Sequence, residues 1–115
     1  MDSGEEIGRE DVVRLLHAFY AAVRQDDLLG PLFEQEVRDW DAYVDLMAGF
    51  WCEALEKGPD HPIPSPPGLL YGLTRESLAR WHALFGRATQ SALNAEHGGR
   101  IRRLSAAISE RQSGL

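Results

Sequence analysis

The stretch YGLTRESLARWHALF, at residues 71–85, decides the fold class of this 115-residue chain. Its apolar residues Leu78, Trp81 and Phe85 recur at intervals of three and four, the spacing that places side chains on one face of an α-helix. Thr74 precedes them and is a suitable N-cap residue. The stretch therefore predicts a helix that begins after Thr74 and buries an aromatic face.

The same periodicity predicts helices on both sides of this stretch. Apolar residues at helical spacing mark a helix over about residues 9–24, a short turn at about 31–35 and a long aromatic-faced helix over about 39–56. A last helix is predicted around residues 101–108, with His97 exposed near its start. Because no segment alternates apolar and polar residues as a strand does, the sequence predicts an all-α fold.

Five prolines separate the second long helix from the stretch at residues 71–85. The sequence KGPDHPIPSPPG, at residues 57–68, lacks the backbone donors that a regular helix needs. We expect one domain over residues 1–115, with a flexible N-terminus at 1–8 and a proline-rich loop at 57–73. A loop of this length is a candidate lid or pocket wall, and a rigid spacer is an equally good interpretation.

Composition limits the class of protein. Apolar residues make up 43% of the chain, and no apolar run approaches the roughly 20 residues that cross a bilayer. The 12 Lys and Arg against 18 Asp and Glu give a formal net charge of −6, which disfavours nucleic acid as a partner. The acidic, polar N-terminus and the lone Cys52 favour a cytoplasmic location.

Ordered blocks of aromatic and apolar residues run along most of the chain. The blocks are Phe19-Tyr20 with Val23-Arg24, DLLGPLF at residues 27–33, Asp39-Trp40 leading to Met47 and Phe50-Trp51, and Leu73-Thr74 with Trp81 and Leu84-Phe85. In this order they resemble the group III branch of the truncated haemoglobins. The resemblance implies a globin-like helical sandwich, here with the proline-rich loop in place of the helix that carries the proximal histidine.

Both haem histidines of that family are replaced in this sequence. The resemblance places the proximal histidine at Pro67 or Gly68, fourteen and thirteen residues before Trp81, and the distal histidine at Tyr43. Neither Pro67 nor Gly68 has a side chain that can bind iron, whereas haem in a globin requires a proximal imidazole. Tyr20 and Trp81 match the family's distal tyrosine and pocket tryptophan. The resemblance therefore implies a haem site that has lost its usual ligand.

Three other residues of the sequence could bind iron, and each also has an ordinary role in a folded protein. His61 in the loop, Tyr43 as a phenolate and Cys52 as a thiolate are the three candidates. A solvated loop histidine, a core aromatic and a buried thiol are favoured in their place. Because the four histidines have no metal-ligand spacing, no metal site is predicted.

The resemblance implies an interior rich in aromatic rings around the space that haem occupies in the family. We expect the ligand-binding residues to be Phe19, Phe33, Met47, Trp51, Trp81 and Phe85, with Trp40 beside them, and the catalytic residues to be Tyr20, Tyr43 and His61. A mostly apolar pocket with two phenols is a reasonable site for a small organic molecule.

Three functions follow from this interior. The favoured one is a haem-independent protein that binds a small organic ligand, and that as an enzyme of isomerisation or cyclisation would use Tyr20 or Tyr43 as proton donor and His61 as base. The second is a haem protein with a non-standard axial ligand, acting on O2, NO or peroxide. The third is a non-catalytic sensor or interaction domain. No cofactor is favoured, haem is the alternative, and a homodimer is left open.

Overall fold

The computed structural model describes residues 7–58 and 74–112. Within those ranges the chain forms five α-helices and no strand, so the all-α prediction is confirmed. The helices are α1 (Arg9–Gln25), α2 (Leu29–Glu36), α3 (Trp40–Lys57), α4 (Arg75–Ala92) and α5 (Ala95–Gln112). None of these helices is long and apolar enough to cross a membrane.

Side-chain caps mark the starts of α3 and α4. The Thr74 hydroxyl accepts a hydrogen bond of 3.0 Å from the Ser77 N–H, which confirms the predicted start of α4. The Asp39 carboxylate caps α3 in the same way, accepting from the Ala42 N–H at 3.1 Å. These bonds satisfy backbone donors that have no partner inside the helix. The local sequence is therefore sufficient to fix where α3 and α4 begin.

Helix α1 lies at the centre of the fold, packing most extensively against α4 and then against α3 and α2. Its predicted apolar face is buried along its whole length. The buried residues are Val12, Leu15, Leu16, Phe19, Tyr20 and Val23. Because α1 contacts α2, α3 and α4 through this face, side chains of all four helices meet in one core.

Two local features tie the end of α1 to its neighbours. The Asp26 carboxylate accepts from the backbone N–H groups of Leu28 and Leu29 at 3.0 and 2.9 Å, and forms an ion pair of 2.6 Å with Arg80 of α4. Gly30 lets α2 approach this turn closely, because a Cβ there would lie 3.0 Å from the Arg24 carbonyl oxygen. The turn between α1 and α2 is thereby fixed against α4.

The predicted exposure of His97 is wrong. Helix α5 begins at Ala95, earlier than expected, and His97 is buried with 6% of its surface exposed. The next residue, Gly98, faces α4, since a Cβ there would be in ordinary contact with Thr89 at 3.6 Å. The start of this helix therefore packs against α4.

Several sequence-based predictions fall outside the described residues. The proline-rich loop was predicted at residues 57–73, but Lys57 is the last residue of α3, and all of the predicted loop after Gly58 lies outside the described ranges. His61, Pro67 and Gly68 are among those residues, as is the N-terminal segment before Ile7.

Candidate functional site

Four aromatic rings from three helices stack at the centre of the core. We call Phe19, Trp51, Trp81 and Phe85 the stacked cluster. Trp81 and Phe85 are nearly parallel, with ring centroids 4.8 Å apart and an angle of 16° between their planes. Trp51 also stacks on Phe85, with centroids 5.3 Å apart and planes at 22°. Phe19 meets Trp81 and Phe85 edge-on, at 5.0 and 5.1 Å. The cluster thus brings together four of the six residues predicted to bind a ligand.

The stacked cluster is suited to packing rather than to chemistry. All four side chains are buried, with exposures of 6% or less. Offset and edge-on ring pairs at these distances stabilise a fold by about 0.5–1.5 kcal/mol each beyond the burial of their area. Because each ring packs directly against its neighbours, the four side chains contribute mainly to the stability of the fold.

A pair of buried tyrosines lies beside the stacked cluster. Tyr20 of α1 and Tyr43 of α3 form the phenol pair, with ring centroids 5.3 Å apart and planes at 67°. The two phenols interact closely enough for each to shift the pKa of the other. Only 4% of Tyr20 and 8% of Tyr43 is exposed. Two residues predicted as catalytic are therefore in direct contact.

Burial keeps both phenols protonated. It raises the pKa of Tyr20 well above its ordinary value, and the neighbouring Tyr43 raises that pKa further. Burial also raises the pKa of Tyr43, to about 12, although its interaction with Tyr20 acts in the opposite direction. At neutral pH the pair can donate hydrogen bonds and protons, and it cannot act as a base.

Aromatic side chains also surround the phenol pair. Phe33 of α2 lies 6.1 Å from the Tyr20 ring and is 1% exposed. Trp40, at the start of α3, lies 5.8 Å from the Tyr20 ring and 6.1 Å from the Tyr43 ring, and is only partly buried. Together these rings form an apolar wall around two polar groups, which is the composition typical of small-molecule sites.

Sequence reasoning missed Arg24, which lies next to this wall. Its guanidinium carbon is 4.9 Å from the centroid of the Trp40 ring, within the range of a cation–π interaction. A signal was present in the sequence, because Arg24 follows Tyr20 by four residues and such residues are neighbours on a helix surface. The contact with Trp40, on another helix, was not visible there.

The remaining predicted site residues are separate from the phenol pair or outside the described ranges. Met47 is buried on α3 one turn after Tyr43, with 7% exposed. His61 lies outside the described residues, so its proposed role as a base stays a prediction. His82 is half-buried beside Trp81, and burial lowers its pKa.

Possible metal ligands are scattered in the part of the chain that the structure describes. No group of three or more His, Cys, Asp or Glu side chains there could hold a metal ion. Burial raises the pKa of the Cys52 thiol, although Arg9 acts in the opposite direction, so Cys52 is a protonated thiol at neutral pH. Among the described residues, the phenol pair is therefore the group best placed for chemistry.

Comparisons with protein-family models, with curated proteins and with solved structures find no match to this chain. The resemblance to the truncated haemoglobins consequently rests on the ordered sequence blocks alone. Function has to be inferred from the chemistry of the side chains.

Proposed function

We propose that this chain is a divergent truncated-globin-fold protein that does not bind haem in the usual way and instead binds a small aromatic molecule with a hydrogen-bond acceptor. The observation that carries this proposal is the buried phenol pair. Tyr20 and Tyr43 present polar groups inside an aromatic wall, where a protein built only for stability would favour phenylalanine.

Tyr43 is the phenol that we expect to meet the ligand, because it is the more exposed of the two, at 8% against 4% for Tyr20. Within residues 7–58 and 74–112, the Tyr43 hydroxyl interacts with no polar side chain besides Tyr20. Its proton can therefore be donated to an acceptor on a ligand. A carbonyl oxygen of an aromatic ligand is the simplest acceptor for this proton.

The same arrangement suits proton donation in a reaction. In an isomerisation or cyclisation, Tyr43 would transfer its proton to an oxygen that becomes negatively charged, and a hydrogen bond donated by Tyr20 would stabilise the Tyr43 phenolate that results. Protonation of that phenolate by solvent would restore the pair. His61 remains the candidate base of this proposal. A binding protein that performs no reaction would use the same two hydroxyls only to orient its ligand.

Prodan, a neutral naphthalene ketone, provides a direct test, because its emission moves to longer wavelength when its carbonyl accepts a hydrogen bond. We expect the protein to bind prodan with an emission typical of a hydrogen-bonded carbonyl in an apolar site. The variant Tyr43→Phe should bind prodan with emission at shorter wavelength, since only the hydroxyl is lost. Equal emission in both proteins would overturn the role of the phenol pair.

Titration with haem tests the principal alternative, a haem protein with a non-standard axial ligand. Retention of Tyr20 and Trp81 favours that alternative, and the replacement of both family histidines opposes it. We expect no stoichiometric Soret band when haem is added to the purified protein or when haem precursor is abundant during expression. A stoichiometric band that disappears in Tyr43→Phe would identify Tyr43 as an iron ligand and would contradict the proposal.

A further inference from the structure

Trp40 connects the buried phenol pair to a charged group on the surface. On one side its ring contacts Tyr20 and Tyr43, at 5.8 and 6.1 Å. It also lies 4.9 Å from the guanidinium carbon of Arg24. Exposure rises along this series, from 4% and 8% for the tyrosines, through the partly buried Trp40, to 50% for the Arg24 side chain. Trp40 therefore lies between the phenol pair and a half-exposed positive charge.

The present ion partner of Arg24 is easily replaced. Its Nε lies 3.5 Å from the Glu34 Oε2, and both side chains are about half exposed, at 50% and 52%. Exposed pairs of this kind contribute little to stability, because water screens the charges and the long side chains lose freedom when they pair. A ligand carboxylate can therefore exchange with the Glu34 carboxylate at small cost, and can form two parallel bonds to the guanidinium.

The distance between Tyr20 and Arg24 limits the size of a ligand that reaches both. The two residues are one helical turn apart on α1, so their Cβ atoms are separated by about 6 Å. A molecule that reaches both ends needs an acceptor at one end, an anionic group at the other, and one or two fused rings between them. Those rings would pack against Trp40, either on its face or in its place.

We propose that the site at the phenol pair selects aromatic carboxylates, with Arg24 binding the carboxylate and Trp40 packing against the ligand ring at the entrance. This inference rests on the proposed function and adds to it the charge of the ligand and the residue that reads that charge. Arg24 is a specificity-determining residue in this scheme, because it contacts the ligand away from the reacting oxygen.

Two matched ligands test the inference: a neutral acetylnaphthalene, and the acetylnaphthoate that carries one additional carboxylate. Affinities are measured by calorimetry for the unaltered protein and for Arg24→Gln. We expect Arg24→Gln to weaken acetylnaphthoate roughly tenfold, the effect of losing one charge-assisted contact, and to leave acetylnaphthalene unchanged.

Two further variants serve as controls. Glu34→Gln removes the competing carboxylate and should tighten acetylnaphthoate a few-fold without affecting acetylnaphthalene. Arg14→Gln removes an equal charge from the same helix, where Arg14 pairs with Asp11 at 2.7 Å, and should change neither affinity. An equal loss in Arg14→Gln and Arg24→Gln would indicate general attraction between charges and would overturn the inference.

The remaining outcomes separate this inference from the proposed function. If acetylnaphthalene binds and Tyr43→Phe weakens it, but Arg24→Gln affects neither ligand or affects both equally, the phenol site stands and the selection of carboxylates is wrong. If neither ligand binds the unaltered protein, or if Tyr43→Phe leaves both affinities unchanged, the proposed function fails and the inference fails with it.

Discussion

The stacked cluster and the phenol pair occupy neighbouring parts of one aromatic core, yet their chemistry differs. Phe19 and Tyr20 are consecutive residues of α1 with ring centroids 4.8 Å apart, but Phe19 joins the stack and Tyr20 joins Tyr43. A phenylalanine ring needs only apolar contact, whereas a buried hydroxyl costs stability unless it has a partner. The cluster therefore stabilises the fold, and the phenol pair is the part of the core that would meet a ligand under the proposed function.

Removing a ring of the stacked cluster should have the largest effect on stability. Trp81→Ala is expected to lower the free energy of unfolding by about 3 kcal/mol, because it leaves a cavity between Phe19 and Phe85. Urea denaturation followed by circular dichroism measures this change. Leu46→Ala is a suitable control, since Leu46 is 44% exposed and its truncation should change stability by less than about 0.5 kcal/mol. A silent Trp81→Ala would contradict the assignment of the cluster to stability.

Asp26 lies outside both regions and joins the turn after α1 to α4. Asp26→Ala should cost roughly 1–2 kcal/mol through loss of the bonds from the Leu28 and Leu29 N–H groups, as for loss of a helix cap. Thermal unfolding of Asp26→Ala and Asp26→Asn checks this cost. Equal stability of the alanine variant and the unaltered protein would show that packing alone orders the turn.

Asp26 should also make the stability of the protein depend on pH. Burial acts to raise the pKa of Asp26, but the hydrogen bond from Leu29 and the contact with Arg80 outweigh it and lower that pKa below its ordinary value. Its stabilisation is therefore present above the ordinary aspartate pKa of about 4 and is lost as the pH falls through the lowered value. Unfolding measured between pH 6 and 2 should show a smaller acid loss in Asp26→Asn.

Loss of one hydroxyl of the phenol pair should have a smaller effect. Tyr20→Phe and Tyr43→Phe should each cost about 1 kcal/mol or less, since each removes one hydroxyl and preserves the ring. The double variant should cost less than the sum of the two, because both single changes remove the same interaction between the phenols. A double-mutant cycle measures this coupling, and strictly additive costs would mean that the two hydroxyls act independently.

The smallest expected signal is the ionisation of tyrosine in the folded protein. Tyr43 should ionise near pH 12, and its contribution to stability should be fully present below the ordinary tyrosine pKa of about 10 and lost as the pH rises through about 12. Phenolate absorbance recorded during an alkaline titration checks this, with Tyr43→Phe as the reference. A tyrosine ionising near pH 10 that is absent from Tyr43→Phe would place Tyr43 in water.

The sequence predicted the helices well because the signals for helices are local. The apolar face of α1, the aromatic face of α3 and the Thr74 cap of α4 all depend on residues within one or two turns of each other. The sequence also identified Tyr20 and Tyr43 as members of one interior, but only through the resemblance to a family. His61 and the loop around it stay predictions, since they lie outside the described residues.

By itself, then, the sequence determined an all-α chain and the faces that its helices bury. Only the tertiary structure decided which rings stack, that Tyr20 meets Tyr43, that Arg24 lies over Trp40 and that His97 is buried. Helical periodicity specifies which face of a helix is apolar, but the angle and distance at which two helices cross decide which side chains meet.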